Sequence, residues 1–247
     1  MEDKNRKTNF PVLVLLIGLG IAIFFLWLFA ELSDELLEKE LQRFDNMIIS
    51  SFESIAAPAL DNIYIVITEL GSVWLLAVLS VIVILCLWIK SKDKWGILLF
   101  IIAMGGGALL TSLLKQVYGR SRPSINEAID ATGFSFPSGH SLGALVFYGF
   151  VAYFIIRSSR KRAVKILTLT ISALLIILIG TSRIYLGAHF PSDVLAGYSV
   201  GTVWLLLCLL SLEWVQWQSH SKVGTVHALR IFLKNTYEKA RQKIKRW

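Results

Sequence analysis

Six apolar runs, each about 18 to 20 residues long and nearly free of charge, constrain this chain more than any other feature. They lie at roughly 11–30, 71–89, 95–114, 139–156, 163–181 and 194–212. As a helix, a run of that length crosses about 30 Å of hydrocarbon, where every backbone polar group must find its partner within the segment. The expected class is therefore an all-α polytopic membrane protein, with residues 1–247 forming a single domain. Lys4, Arg6 and Lys7 precede the first run, as they would in a signal peptide. That run is longer than a signal core, and no small-x-small cleavage site follows Phe29 and Ala30, so it reads as a retained anchor. Cys86 and Cys208 fall inside apolar runs and imply no disulfide framework.

The net charge of +8 then reports topology rather than nucleic-acid binding. Of the 25 Lys and Arg, 19 fall on one side of the six spans: the N-terminus, the loop at 90–94, residues 157–165 and the tail. By the positive-inside rule both termini are cytoplasmic. The other side carries Lys39, Arg43, Lys115, Arg120, Arg122 and Arg183. On that external side, Leu32, Leu36, Leu37, Leu41, Phe44 and Ile48 recur at helical spacing between Glu35, Glu38, Lys39 and Gln42. They predict an amphipathic helix on the outer surface, with a packing or lid role, and Pro58 opens a second short element. Residues 213–247 read as a cytoplasmic tail. From about 226, Leu229, Leu233, Tyr237, Ala240 and Ile244 form a stripe flanked by Lys and Arg, a basic helix suited to an anionic leaflet. His220 and His227 lie on this inner side and receive no role.

Three short blocks fall at the external boundary. The third span ends in Lys115, with Arg122-Pro123 beyond it. The fourth opens with Pro137-Ser138-Gly139-His140. The fifth ends in Ser182-Arg183, followed by His189 and Asp193. Together they supply what phosphoryl transfer needs, because that chemistry runs on positioned cations and backbone N–H groups around the phosphoryl oxygens. Lys115, Arg122 and Arg183 are the cations. Ser138 and Gly139, at a helix start, offer N–H donors. Asp193 lies four residues after His189, so on a helical turn it can orient the imidazole and leave the far nitrogen free to attack phosphorus. His140 has no acid close in sequence and suits proton donation to the leaving oxygen. A metal site is the competing use of these side chains. No Cys or Glu joins them, and three neighbouring cations would repel a divalent ion. Arg120 stands open between a substrate contact and a lipid-phosphate contact, while Ser182 and Tyr185 read as local packing and hydrogen bonding.

These blocks resemble the signature of the type 2 phosphatidic acid phosphatase family: Lys-x6-Arg-Pro, Pro-Ser-Gly-His and Ser-Arg-x5-His-x3-Asp, with no departure at any signature position. The resemblance is strong over about residues 110–195 and weaker over Phe44–Ile48 and Leu60–Ser72. It implies a phosphohistidine on His189, leaving-group protonation by His140, phosphate binding by Lys115, Arg122, Ser138, Gly139 and Arg183, and neither metal nor cofactor.

An interfacial site suits a lipid headgroup presented at the membrane better than a soluble ester. The expected activity is hydrolysis of a membrane lipid phosphomonoester or pyrophosphate at the outer face of the cell membrane. Family members act on phosphatidylglycerophosphate, phosphatidate or undecaprenyl pyrophosphate, and the residues do not choose among them. The alternative is a non-hydrolytic lipid-phosphate binder or transporter that keeps the cations. The basic tail also admits a scaffold role toward a cytoplasmic partner. The oligomeric state is left open.

Overall fold

The computed structural model describes residues 3–123 and 133–220, with side chains from 16 to 218. Its elements are α1 (Asp3–Glu38), α2 (Leu41–Glu53), α3 (Pro58–Glu69), α4 (Val73–Cys86), α5 (Lys94–Tyr118), α6 (Gly139–Arg157), α7 (Arg162–Tyr185) and α8 (Pro191–His220); a π-helical turn at Leu87–Ser91 extends α4. Caps explain several starts. The Ser72 hydroxyl accepts from the Leu75 N–H, Asp93 from Gly96 and Ser138 from Ser141, while Pro58 begins α3 and Pro191 begins α8.

Six of these segments are long and apolar enough to span a membrane: Leu16–Glu38, Val73–Ser91, Lys94–Tyr118, Gly139–Arg157, Arg162–Tyr185 and Pro191–Gln218. They correspond to the six expected runs, and the differences lie at their ends. The first helix does not stop near residue 30. It carries Leu32, Leu36 and Leu37 onward to Glu38, and the chain turns at Lys39, whose φ is +65°. The amphipathic helix expected on the external side is therefore only Leu41–Glu53, with α3 as the second element. The last helix continues past 212 to His220, because Ser211 to Gln218 contain nothing that breaks a helix. The basic helix expected from about 226 lies outside the described residues.

Helices α6 and α8 form the centre; α6 also packs on α4, α5 and α7, and α8 on α1 and α5. In hydrocarbon such contacts are held by close packing and hydrogen bonds rather than by expulsion of water. Phe100 of α5 and Phe150 of α6 are fully buried and meet edge to face at 5.6 Å. The Trp204 indole N–H donates to the Ala103 carbonyl at 2.9 Å, tying α8 to α5. At the end of the bundle away from Lys115 and His140, the Tyr153 hydroxyl donates to Glu213 at 2.6 Å and accepts from Arg157 at 2.7 Å. The outward faces of α1, α4 and α7 are lined with exposed Leu, Ile, Phe and Trp, the surface a bilayer would solvate.

Candidate active site

Lys115 sits in the last turn of α5. Beyond it the connection to α6 is stapled to itself: the Ser135 N–H donates to the Arg120 carbonyl at 2.8 Å and the Ser135 hydroxyl to that of Ser121 at 3.0 Å. Phe136 is fully buried against Phe29 of α1 and Tyr118 of α5. This fixes the Pro-Ser-Gly-His turn at the head of α6. The Ser138 N–H donates to the Asp193 carbonyl at 2.9 Å, and its hydroxyl caps α6. The approach of α8 requires a glycine at 197, since a Cβ there would lie 2.6 Å from the Ser138 carbonyl oxygen.

The end of α7 is turned back on itself. Gly187 takes a φ of +69°, and the Arg183 carbonyl accepts from both the Ala188 and His189 N–H groups at 3.0 and 3.1 Å. His189 is thereby brought over Arg183. The Arg183 guanidinium is buried and donates through Nη1 to the Thr68 hydroxyl of α3 at 2.7 Å. Its Nε is buried without a partner among the described residues.

His189 and Asp193 meet as the spacing indicates, through Nδ1 and Oδ2 at 3.4 Å. Arg122 Nη1 lies 3.2 Å from His189 Nε2 and 2.7 Å from the Ala188 carbonyl. A guanidinium can only donate, so Nε2 is the acceptor and the ring proton is on Nδ1, facing the carboxylate. Burial pushes the His189 pKa down to about 4; Asp193 opposes that shift, and Arg122 and Arg183 add to it. The imidazole is therefore neutral at ordinary pH, with a lone pair on Nε2. Burial also lowers the Arg122 pKa from its usual value, against the pull of Asp193.

Lys115, Arg122, Gly139, His140, Arg183 and His189 all line one cavity of about 730 Å³. Ser138 and Asp193 lie behind this lining, both fully buried. The Ser138 N–H, an anticipated anion donor, is occupied by the Asp193 carbonyl. From the polar end the cavity runs down the apolar faces of α4 and α5, past Leu76, Ser80 and Ile84 on one side and Ala108 and Met104 on the other. From Val73 to Ile84 a helix descends roughly 16 Å, about the depth of one leaflet. Among the described residues no three His, Cys, Asp or Glu side chains converge to hold a metal ion.

Arg120 turns inward, away from both partners left open for it. It donates to Asp193 Oδ1 at 2.6 Å, to the Ser192 hydroxyl at 2.8 Å and to Asp45 Oδ2 at 2.7 Å, and it stacks on Phe190 at 3.9 Å. Asp45, fully buried in α2, also accepts from the Ser192 N–H and hydroxyl. Asp45, Thr68 and Ser192 were not among the residues singled out from the sequence. One signal for Asp45 was there: it falls on the apolar face of its helix, four residues after Leu41 and three before Ile48. Ser182 is local, donating to the Ile179 carbonyl, but Tyr185 is not: it donates to Asp61 across 124 residues and stacks on Tyr64, packing the end of α7 against α3.

This architecture has known counterparts. The family profile of the PAP2 superfamily matches residues 94–217. Phosphatidylglycerophosphatase B of Bacillus subtilis (strain 168) is 35% identical over 171 residues, which cover 67% of this chain and 82% of that protein. A crystal structure of a transmembrane PAP2-type phosphatidylglycerolphosphate phosphatase from Bacillus subtilis superposes with a TM-score of 0.70 at 32% identity, over 79% of this chain and 96% of that one. Aquifex aeolicus LpxE matches with a TM-score of 0.53 at 25% identity, over 66% of this chain and 93% of its own. Profile, identity and fold agree: the chain belongs to the PAP2 superfamily, among its membrane phosphatases.

Proposed function

We propose that the protein hydrolyses the phosphomonoester or pyrophosphate headgroup of a membrane lipid at the outer face of the cell membrane, through a phosphohistidine on His189. The observation that carries this reading is the continuity of the cavity. The end lined by Lys115, Arg122 and Arg183 suits a headgroup phosphate, and the groove along α4 and α5 suits the acyl or prenyl chains. A soluble ester would have no use for the second half. The side on which the site faces follows from the distribution of Lys and Arg between the spans.

In this reading the three cations and the Gly139 N–H hold the phosphoryl oxygens. Arg122, already touching Nε2, moves onto the phosphoryl group as it arrives. Nε2 of His189 attacks phosphorus, the bond from phosphorus to the leaving oxygen breaks, and His140 gives that oxygen its proton. The ring now carries positive charge, and Asp193 stabilises it through Nδ1–H. His140 then takes a proton from water as the water attacks the phosphohistidine, which frees His189 and inorganic phosphate. Charge fits the substrate. Against the three cations stands the buried string Asp45, Arg120 and Asp193, of net charge −1, so the site keeps a positive surplus for a phosphate group carrying nearly two negative charges.

Protein purified in detergent is assayed for phosphate release in excess chelator from phosphatidylglycerophosphate, phosphatidate, undecaprenyl pyrophosphate and a soluble phosphate ester, with His189→Ala as control. Release from a lipid, abolished in folded His189→Ala, is the expected result. Full activity in that variant would sink the mechanism. Lipid-phosphate binding without release would leave a binder or transporter.

A further inference from the structure

We infer that Asp45 of α2 is a positioning residue for the nucleophile, cancelling the charge that Arg120 places on Asp193. The inference rests on the role of His189 proposed above. Four charged or chargeable groups from three parts of the chain stand in a row: Asp45, Arg120, Asp193 and His189. The contacts between them measure 2.7, 2.6 and 3.4 Å. Both carboxylates are fully buried, and the guanidinium is nearly so.

The middle contact is the shortest, and it works against catalysis if left alone. Attack by Nε2 makes the His189 ring positive, and the neighbouring Asp193 charge is what favours that change. A guanidinium bonded to the other oxygen of the same carboxylate draws its charge away from the ring. Asp45, on the far side of Arg120, returns the balance. It does more than neutralise, because Oδ1 accepts the Ser192 N–H at 2.9 Å and Oδ2 the Ser192 hydroxyl at 2.7 Å. Ser192 immediately precedes Asp193 in the first turn of α8. One carboxylate of an external helix therefore sets both the charge felt by Asp193 and the place where α8 begins. The amphipathic helix that reads from sequence as packing or lid becomes a second layer of the active site.

The test uses the full chain in detergent micelles with phosphatidylglycerophosphate, phosphatidate and undecaprenyl pyrophosphate each as probe, reading kcat, KM and the rate of acid-quenched phosphoenzyme formation on the one turned over fastest. Asp45→Asn keeps the shape and one acceptor but removes the charge. It is expected to lower kcat and phosphoenzyme formation by about 10- to 100-fold with KM changed by less than about threefold. The doubly neutral variant, Asp45→Asn with Arg120→Gln, is expected to recover at least about fivefold over Asp45→Asn, because the charge on Asp193 is again uncontested. A residue that merely packs α2 against α8 would give the opposite order, with the double variant the worse of the two. Should Asp45→Asn not fold, the double variant decides alone: turnover within about tenfold of wild type supports the relay, and its loss overturns it. Wild-type labelling with unchanged labelling in folded Asp45→Asn would overturn the Asp45 inference and leave the proposed function standing. A wild type that forms no phosphoenzyme at His189 would overturn both.

Discussion

Asp193→Asn is the sharpest test of the nucleophile's surroundings. All the hydrogen-bond partners of this carboxylate are donors: Arg120 on Oδ1, and the Phe190 N–H and His189 Nδ1–H on Oδ2. An amide must point its own NH₂ at one of them, whichever way it is turned. The larger effect is on charge. In the proposed attack of His189 on phosphorus, the ring gains about one positive charge 3.4 Å from Oδ2. At an effective dielectric of about 20 that attraction is worth ~5 kcal/mol, which corresponds to a loss of turnover on the order of 10³-fold. The loss should fall on kcat and on the acid-quenched yield of phosphohistidine, with substrate affinity nearly unchanged, since the cavity cations remain. Thermal melting in detergent establishes that the variant is folded. Turnover within about threefold of wild type in a folded Asp193→Asn protein would refute the assignment of imidazolium stabilisation to this carboxylate.

Three further outcomes are expected. Ala108→Phe narrows the apolar groove on its α5 side, so KM for a long-chain lipid should rise at least about tenfold while hydrolysis of a short soluble ester stays within about twofold. Thr68→Val removes the acceptor of Arg183 Nη1 and leaves a buried guanidinium with two unpaired sites; inhibition by inorganic phosphate should weaken by about tenfold, read as a change in inhibition constant. The fully buried His189 has its pKa held at about 4 in the folded protein against about 6.5 unfolded, so below pH 6.5 the unfolded chain binds the extra proton and stability falls as pH drops toward 4. The melting temperature should therefore decline between pH 7 and 4.5, and decline less in His189→Gln.

The parts of this molecule that sequence exposes are those whose partners lie close along the chain or share a membrane boundary. Asp193 follows His189 by four residues, and Lys115, His140 and Arg183 each sit at a helix end on the same side of the spans, so span placement alone gathers them. Asp45 and Thr68 escape that reasoning. Asp45 finds Arg120 and Ser192 across 75 and 147 residues, and Thr68 finds Arg183 across 115. No local pattern encodes such a pairing. The inward turn of Arg120 was equally hidden, because Arg120 lies past the end of α5, in a connection held by the Ser135 staple and by Phe190 rather than by a helical register. The end of α1 was missed for another reason. Leu32 and Leu36 fit an apolar stripe in either helix, and lysine at 39 gives no warning that it adopts a left-handed turn.

The groove along α4 and α5 has a kinetic consequence. A substrate drawn from one leaflet approaches the cations by diffusion in two dimensions, and its concentration is its mole fraction in the surface. Diluting the lipid with inert detergent at constant total amount should slow the reaction, whereas adding micelles of fixed composition should not once the enzyme is embedded. After cleavage of such a lipid the two products part in different phases, phosphate into water and the dephosphorylated lipid back into the leaflet. The membrane thus serves this fold as reservoir for the reactant and as sink for one product.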